Sequence, residues 1–276
     1  MPTVAANGID LYYERFGEPG DPVLLMVNGL GSQCIRYDDE LCEAFVDRYL
    51  QVIRFDNRDV GLSTHLAEGT TYTLDDMAAD AVGLLDALEI ERAHVWGCSM
   101  GGMIAQLLAI HHAPRVASLT SIMSTTGDRS VGRVSPEIVA SLIELSVPTD
   151  DLDVALDRAV ENARVIGSPG EWDEAWQRRR QRAFIERSYD PAGGVRQVAA
   201  VMATPDRSEG LARLDVPMLV IHGDADPLID VSGGRRTAEL VPGAELLEIE
   251  GMGHDLPPFY WPPIVEATTQ LVISAL

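Results

Sequence analysis

The sequence predicts an α/β fold: a doubly wound, mostly parallel sheet with an inserted helical cap. Three observations support this prediction. Uniformly apolar segments such as Val23–Val27 are typical of strands that helices bury on both faces. Helical patterns lie between these segments, which indicates βαβ crossovers and a parallel sheet. No strand pattern occurs from residue 126 to residue 207, and such a stretch is too long for a bare loop in a compact domain.

The first two strands are expected to form a hairpin, because Asn7-Gly8 favours the positive φ values of a tight turn. The later strands are short and apolar, as expected for the interior of a parallel sheet. The predicted strands are residues 3–6, 9–16, 23–27, 51–55, 93–96, 116–122, 218–222 and 245–250.

The clearest helical pattern begins after Thr73, a good N-cap residue, and has Asp75 and Asp76 in its first turn. Inside the stretch without strands, helical patterns cover residues 136–146, 152–166 and 171–188. We therefore predict a core domain of residues 1–125 and 208–276, and a helical cap domain of residues 126–207.

The composition of the chain indicates which binding partners and which cellular compartment suit the protein. The 276 residues include 43 acidic and 21 basic side chains, a net charge of −22, which disfavours nucleic acid and anionic membranes as partners. Three cysteines without a metal-type cluster suit reduced thiols in a cytoplasm. The N-terminus has no pattern of a signal peptide, and no segment has the length of a membrane span. We expect a cytoplasmic protein without a metal, and the oligomeric state stays open.

The most informative motif is Gly97 to Gly101 (GCSMG), which follows an apolar strand and opens a helical pattern. A strand, a sharp turn and a helix are the context of a nucleophile elbow, in which the central serine is exposed at the end of the strand. Glycine two residues before and two residues after Ser99 leaves room for that turn. We therefore predict that Ser99 is a catalytic nucleophile.

A serine nucleophile needs an imidazole to accept its proton and a carboxylate to orient the imidazole. His254 follows the last apolar strand in a glycine-rich loop, whereas the other five histidines lie in strands, at helix ends or after a polar loop. The loop after the preceding strand offers Asp224 and Asp226 as the acid. We choose Asp226, because Pro227 favours an extended backbone at the residue before it and would fix the direction of that side chain.

These motifs resemble those of the α/β-hydrolase fold family over essentially the whole chain. The order Ser99, Asp226, His254 along the chain is that of the family. The loop from residue 27 to 31 (VNGLG) resembles the family's oxyanion loop, which implies that the backbone N–H groups of Leu30 and Met100 bind the developing oxyanion.

The sequence departs from the family pattern at two positions. Asn28 stands where the family usually has histidine. Residues 56–63 (DNRDVGLS) resemble the family's D-x-R-G-x-G-x-S loop, with Asp59 in place of a glycine. We interpret this loop as structural.

The pattern RxDxRDxGxST at residues 54–64, the GxSMG elbow and the GMGH loop at His254 are similar to the aclacinomycin methylesterase group. This resemblance implies an ester of a bulky or polyketide-like acid. We therefore predict a cofactor-free carboxylic ester hydrolase that acts through an acyl-enzyme on a small to bulky hydrophobic ester or a methyl ester. Trp172 and Trp176 in the cap suit either packing or a pocket, and we assign them to substrate binding.

Two other functions fit the same motifs. A lactonase, or a cofactor-free perhydrolase or haloperoxidase-type enzyme, would use the same three residues on a cyclic ester or with another acyl acceptor. Outside enzymes, a ligand-binding receptor could have this fold, because a fold does not by itself establish activity.

Overall fold

The computed structural model describes residues 2–276, and eight strands in this range form one sheet in the order β1-β2-β4-β3-β5-β6-β7-β8. The strands are β1 (Thr3–Ala6), β2 (Ile9–Phe16), β3 (Val23–Val27), β4 (Gln51–Phe55), β5 (Ala93–Cys98), β6 (Val116–Ile122), β7 (Met218–Gly223) and β8 (Glu245–Ile249). Strand β2 pairs antiparallel with β1 and β4, and the other neighbours pair in parallel. The predicted fold class is confirmed.

Helices cover both faces of the sheet. Helices α1 and α10 pack on one face, and α2, α3 and α9 pack on the other. The helices are α1 (Asp39–Val46), α2 (Leu74–Ala87), α3 (Met100–His111), α4 (Pro136–Leu145), α5 (Leu152–Ile166), α6 (Glu174–Arg187), α7 (Pro191–Ala203), α8 (Ser208–Leu211), α9 (Ser232–Leu240) and α10 (Trp261–Ser274). Within residues 2–276, none of the helices combines the length and the apolar character that crossing a bilayer requires.

Strand β3 shows why the central strands are uniformly apolar. Leu25 and Val27 belong to the core cluster on the α2 and α3 face, whereas Leu24 and Met26 belong to the cluster on the α1 and α10 face. Successive side chains of a strand point to opposite faces, and both faces are covered here. An apolar residue is therefore favoured at every position.

The local signals at the first hairpin and at α2 act as predicted. Asn7 and Gly8 have φ values of 49° and 81°, as a tight primed turn requires. At the start of α2, the Thr73 hydroxyl accepts a hydrogen bond from the Asp76 N–H at 3.2 Å, and the Asp76 carboxylate accepts one from the Thr73 N–H at 2.7 Å. Two backbone donors of the first turn are thereby satisfied.

Between β6 and β7, the described residues form helices α4 to α8 and no strand. We call residues 126–207, which contain α4 to α7, the insertion. Its two ends meet, because the Arg207 N–H donates to the Thr126 carbonyl at 2.8 Å. Helices α4, α5 and α6 lie where helical patterns were predicted.

Helix α7 was not predicted. Two consecutive glycines, Gly193 and Gly194, lower the helix propensity of this segment. The structure offsets this at the first turn, where the Asp190 side chain accepts hydrogen bonds from the N–H groups of Ala192 and Gly193 and Pro191 occupies the first position. A Cβ on Gly193 would lie 1.9 Å from the Asp59 carbonyl oxygen, so glycine is needed where α7 meets the loop after β4.

Candidate active site

Ser99 lies at the sharp turn between β5 and α3. Its backbone has φ 57° and ψ −120°, a conformation that is strained for any residue except glycine. The flanking glycines are required by close backbone contacts: a Cβ on Gly97 would lie 2.2 Å from the Gly101 carbonyl oxygen, and one on Gly101 would lie 2.1 Å from that of Val27. Ser99 is partly exposed, while the residues on either side of it are buried.

His254 lies in the loop after β8 and faces Ser99. Its Nε2 atom is 2.9 Å from the Ser99 Oγ atom, and its Nδ1 atom is 2.7 Å from the Asp226 Oδ2 atom. His254 and Asp226 are buried, with 4% and 6% of their surface exposed. The fold thus brings together three side chains that come from the ends of β5, β7 and β8.

The Asp226 carboxylate is held firmly in an ionised state. Its Oδ1 atom accepts hydrogen bonds from the N–H groups of Leu228 and Ile229, both at 2.9 Å. Burial raises the pKa of Asp226, but the electrostatic effect that His254 exerts when it is protonated, together with hydrogen bonds from His222, His254 and the Ile229 N–H, outweighs burial and holds this pKa well below its ordinary value.

The ionised carboxylate determines the tautomer of His254. Because a carboxylate can only accept hydrogen bonds, the Nδ1 atom of His254 carries the proton. In the neutral ring the Nε2 atom is then an acceptor, and the Ser99 hydroxyl donates to it. This is the orientation that a general base for Ser99 needs.

The structure distinguishes the two candidate acids. The Asp224 Oδ1 atom accepts a hydrogen bond from the Gly251 N–H at 2.7 Å, so Asp224 ties the loop after β7 to the loop after β8. Asp226, by contrast, contacts His254 directly. The two N–H groups just after Pro227 hold the Asp226 side chain in place, a contact that the sequence analysis did not foresee.

The loop after β3 lies directly beside Ser99. A Cβ on Gly29 would lie 3.4 Å from the Ser99 Cβ atom and 3.9 Å from its Oγ atom. The next residue is Leu30, and Met100 is the first residue of α3, so its N–H has no acceptor within the helix. The backbone of both predicted oxyanion donors therefore lies next to the serine.

Asn28 helps to anchor this loop. Its side-chain amide is fully buried and donates to the Phe55 carbonyl at 3.1 Å, while Asn57 donates to the Asn28 carbonyl at 3.0 Å. The side chain that replaces the family's usual histidine therefore attaches the loop to the end of β4.

Sequence reasoning missed a set of contacts that the insertion makes with the histidine loop. The His254 N–H donates to the Ile166 carbonyl at 2.7 Å. The Ser168 hydroxyl accepts from the Gly253 N–H at 2.9 Å and donates to the Asp255 carboxylate at 2.5 Å. Ile166 and Ser168 are far from His254 in the sequence. The only sequence signal for these contacts was the carboxylate of Asp255 next to His254.

His222 is one of the five histidines that the sequence did not favour as the base, and it lies next to Asp226. It is fully buried, and its Nε2 atom bonds to the Ile229 carbonyl at 2.8 Å and lies 3.5 Å from the Asp226 Oδ2 atom. It therefore lies near the same carboxylate oxygen that His254 contacts.

Cys98, next to Ser99 in the sequence, is poorly suited to act as a nucleophile. Its side chain is buried within the cluster on the α1 and α10 face, and burial raises the pKa of the thiol to about 12. The thiolate, which is the reactive form, is therefore scarce at neutral pH.

A cavity of about 280 Å³ is formed almost entirely by the insertion, and Leu30 of the loop after β3 also lines it. Its walls are mostly apolar and include Leu30, Leu145, Ala155, Tyr189, Val195 and Val198. Trp172 and Trp176 are not among the lining residues. The guanidinium of Arg180 covers the Trp176 ring at 4.2 Å from its centroid, and a role of either tryptophan in substrate binding stays a prediction.

Comparison with known proteins agrees with this architecture. The sequence profile of the alpha/beta hydrolase fold family matches residues 22–258. The chain belongs to this family. It is 30% identical to rhodomycin D methylesterase DnrP of Streptomyces peucetius, and the match covers 97% of each chain. It is 28% identical to 3-oxoadipate enol-lactonase 2 of Acinetobacter baylyi, over 90% of this chain and 88% of the relative.

A solved structure has the same fold. The enol-lactonase from Burkholderia xenovorans LB400 superposes with a TM-score of 0.77 at 24% identity and covers 99% of both chains. The resemblance to the methylesterase group that the sequence motifs indicated is confirmed by the relative from Streptomyces peucetius.

Proposed function

We propose that this α/β-hydrolase is a carboxylic ester hydrolase in which Ser99 is the nucleophile, His254 the general base and Asp226 the residue that orients the base. The observation that carries the proposal is the continuous hydrogen-bonded chain from the Ser99 hydroxyl through the His254 ring to the ionised Asp226 carboxylate. It lies at a strained turn that exposes the serine, which is the arrangement that covalent acyl transfer needs.

In the first half of the reaction, the His254 Nε2 atom takes the proton of the Ser99 hydroxyl as the oxygen attacks the ester carbonyl. The backbone N–H groups of Leu30 and Met100 stabilise the negative charge that develops on the carbonyl oxygen. Protonated His254 then gives its proton to the departing alcohol, and the acyl group stays on Ser99.

In the second half, His254 takes a proton from water as the water oxygen attacks the acyl carbonyl. It then gives this proton to the Ser99 oxygen as the bond to the acyl group breaks and the acid leaves. Asp226 stabilises the imidazolium that forms in both halves without becoming protonated. The low pKa of Asp226 suits this role, because the carboxylate keeps its charge when the neighbouring imidazole accepts a proton during the reaction.

We propose that residues 126–207 form a cap that shapes the substrate site. The hydrogen bond between Arg207 and Thr126 closes the base of this segment, which supports the proposal. The apolar cavity that this segment lines shares Leu30 with the oxyanion loop, which favours a hydrophobic acyl or alcohol group in the substrate. The likeness to a methylesterase favours a methyl ester.

A lactone is the second candidate substrate, because the chain is 28% identical to a 3-oxoadipate enol-lactonase. The same three residues would open a cyclic ester by the same steps, with the alcohol group remaining attached to the acyl chain. Relative kcat/KM values for methyl esters, p-nitrophenyl esters and lactones distinguish the two functions.

The test of the proposed function is covalent labelling by a fluorophosphonate together with hydrolysis of p-nitrophenyl acetate. The wild-type protein should be labelled at Ser99 and should hydrolyse the ester. Ser99→Ala should abolish labelling and lower turnover by about 10⁴ to 10⁶, because it deletes the covalent step. Ser130→Ala, at an exposed position in the insertion, is the control and should behave as wild type.

Two results would contradict the proposal. A wild-type protein that is folded but neither labelled nor active on any ester or lactone would instead favour a ligand-binding receptor. A folded Ser99→Ala variant with near-normal turnover would remove the nucleophile assignment.

A further inference from the structure

Gln197 of α7 is a fully buried polar residue where the insertion meets two loops of the sheet. Its Oε1 atom accepts a hydrogen bond from the Gly31 N–H at 2.7 Å, and its Nε2 atom donates to the Arg58 carbonyl at 2.9 Å. A buried amide with both ends paired has one well-defined orientation. Gln197 therefore connects the insertion to the loop that carries Leu30.

Helix α7 is a firm support for this side chain. Gly193 allows the helix to approach the Asp59 backbone closely, and Arg196, next to Gln197, makes two hydrogen bonds of 2.8 Å to the Asp59 carboxylate. The side chain of Gln197 is thus held by a helix that is itself attached to the sheet domain.

The contact of Gln197 lies within the turn that contains the oxyanion donor. Residues 29–32 form a turn closed by a hydrogen bond from the Ser32 N–H to the Gly29 carbonyl at 3.2 Å, and Gly31 has a φ of +66°. A positive φ at the third residue is typical of a type II turn, which differs from type I by a flip of the central peptide. The bond from the Gly31 N–H to Gln197 holds that central peptide, which joins the Leu30 carbonyl to the Gly31 N–H and follows directly on the peptide that carries the Leu30 N–H.

Other contacts hold Leu30 only weakly, since the Ser32 hydroxyl donates to its carbonyl at a long distance of 3.5 Å. The Leu30 side chain is 41% exposed, so packing contributes little to its position. A preorganised donor stabilises an oxyanion only if its direction is fixed before the reaction. The hydrogen bond from the Gly31 N–H to Gln197 restrains the peptide that follows Leu30, and with it the turn that presents the donor.

We propose that Gln197 is a positioning residue for the oxyanion site: it orients the turn that presents the Leu30 N–H beside Ser99. The proposal rests on the ester hydrolase function proposed above. It implies that the insertion takes part in the chemistry, beyond shaping the substrate site. A substitution of Gln197 that removes the acceptor for the Gly31 N–H should slow hydrolysis even of a small ester that does not fill the cavity.

The test compares Gln197→Met with wild type on p-nitrophenyl acetate. Methionine has a similar length but cannot accept a normal hydrogen bond from Gly31. We expect kcat to fall about 10- to 100-fold, less than the 10²- to 10³-fold effect of deleting a donor outright, and KM to change less than about twofold. Affinity for a trifluoromethyl ketone, whose adduct with Ser99 carries an oxyanion, should fall by the same factor as kcat.

Gln177→Met in α6 is the matched control, because Gln177 is also a buried glutamine of the insertion but makes no contact with the oxyanion loop through its Oε1 atom. It should leave kcat and ketone affinity within about twofold of wild type. Gln197→Glu keeps an acceptor for Gly31, so it should retain more kcat than Gln197→Met even if its melting temperature falls further.

The possible failures are distinguishable. Wild-type protein without hydrolase activity would refute the proposed function. If wild type is active, the role of Gln197 is refuted by a Gln197→Met variant with unchanged kcat, by a rise in KM at constant kcat, or by a Gln197→Glu variant that is as slow as Gln197→Met.

Discussion

Asp59 and Arg196 form an ion pair with two hydrogen bonds of 2.8 Å, which attaches the loop after β4 to helix α7 of the insertion. The Asp59 side chain is fully buried, and 15% of the Arg196 side chain is exposed. Asp59 has a φ of 69°, a conformation that favours glycine, and it stands where the related loop pattern has glycine. Aspartate in place of glycine adds a buried negative charge, and Arg196 of the insertion neutralises it.

The first prediction concerns this ion pair. Arg196→Leu should lower the free energy of unfolding by about 3 kcal/mol, because it leaves the buried Asp59 carboxylate without its partner. Asp59→Gly should cost less, about 1 to 2 kcal/mol, because it removes the buried charge and relieves the backbone strain. Urea unfolding of the purified variants measures both values.

The exposed ion pair between Arg213 and Glu209 gives the matched control. Arg213→Leu should change the free energy of unfolding by less than about 1 kcal/mol, since exposed ion pairs contribute little. If Arg196→Leu and Arg213→Leu lowered the free energy of unfolding equally, the ion pair between Asp59 and Arg196 would not stabilise the attachment of the insertion.

The second prediction separates the two aspartates of the loop after β7. Asp226→Asn should lower turnover by about 10⁴, because an amide at this position favours the wrong tautomer of His254. Asp224→Asn should keep most of the activity and cost about 1 kcal/mol of stability by weakening the bond to the Gly251 N–H. Kinetics and thermal melts of both variants provide the data. The acid would be misassigned if Asp224→Asn were the inactive variant.

The third prediction is a pH dependence of stability that arises from His94 in β5. This side chain is buried against the Ser118 hydroxyl, and burial together with the Arg92 charge lowers its pKa to about 4. Between about pH 6.5 and pH 4 the unfolded chain binds a proton that the folded protein does not. Stability from this site is therefore fully present above about pH 6.5 and is lost as the pH falls.

We expect the free energy of unfolding to fall by about 3 kcal/mol between pH 6.5 and pH 4 because of this site. Urea unfolding at a series of pH values should show it, and His94→Val should flatten this part of the profile. Ser121→Ala in the neighbouring strand removes a buried hydroxyl without a titrating group and should keep the wild-type slope. An unchanged slope in His94→Val would assign the pH dependence to other groups.

The fourth prediction concerns the apolar cavity that residues of the insertion and Leu30 line. Val198→Trp should fill part of its 280 Å³ and raise KM for bulky esters while leaving p-nitrophenyl acetate nearly unaffected. Val139→Trp, at a partly exposed position of α4 that does not line the cavity, is the control. A panel of esters of increasing acyl size measures the effect.

Trp176→Ala in the same panel tests the alternative from the sequence, in which the tryptophans of the insertion contact the substrate. If that variant changes the substrate preference and Val198→Trp does not, the substrate lies against α6 and the cavity is not its binding site.

Prediction from the sequence worked best where the determining contacts are local. The Asn7-Gly8 turn, the Thr73 N-cap and the apolar strands each depend on neighbouring residues or on burial of both faces of a strand. Helix α7 was missed because its two glycines oppose a helix locally. The reason for Gly193, the close approach of Asp59, comes from a residue more than a hundred positions away in the chain.

The same distinction applies to the candidate site. The sequence by itself determined that Ser99 occupies a tight turn after a buried strand, and that His254 and the aspartates follow later strands, because parallel strands end at one edge of a sheet. Only the tertiary structure decided that Asp226 meets His254 while Asp224 binds Gly251, since both aspartates occupy the same loop and differ only in their distant partners. It also decided that Ser168 and Gln197 of the insertion hold the loops beside Ser99. Hydrogen bonds between segments so far apart in the chain depend on how the helices pack, and no local pattern of residues encodes them.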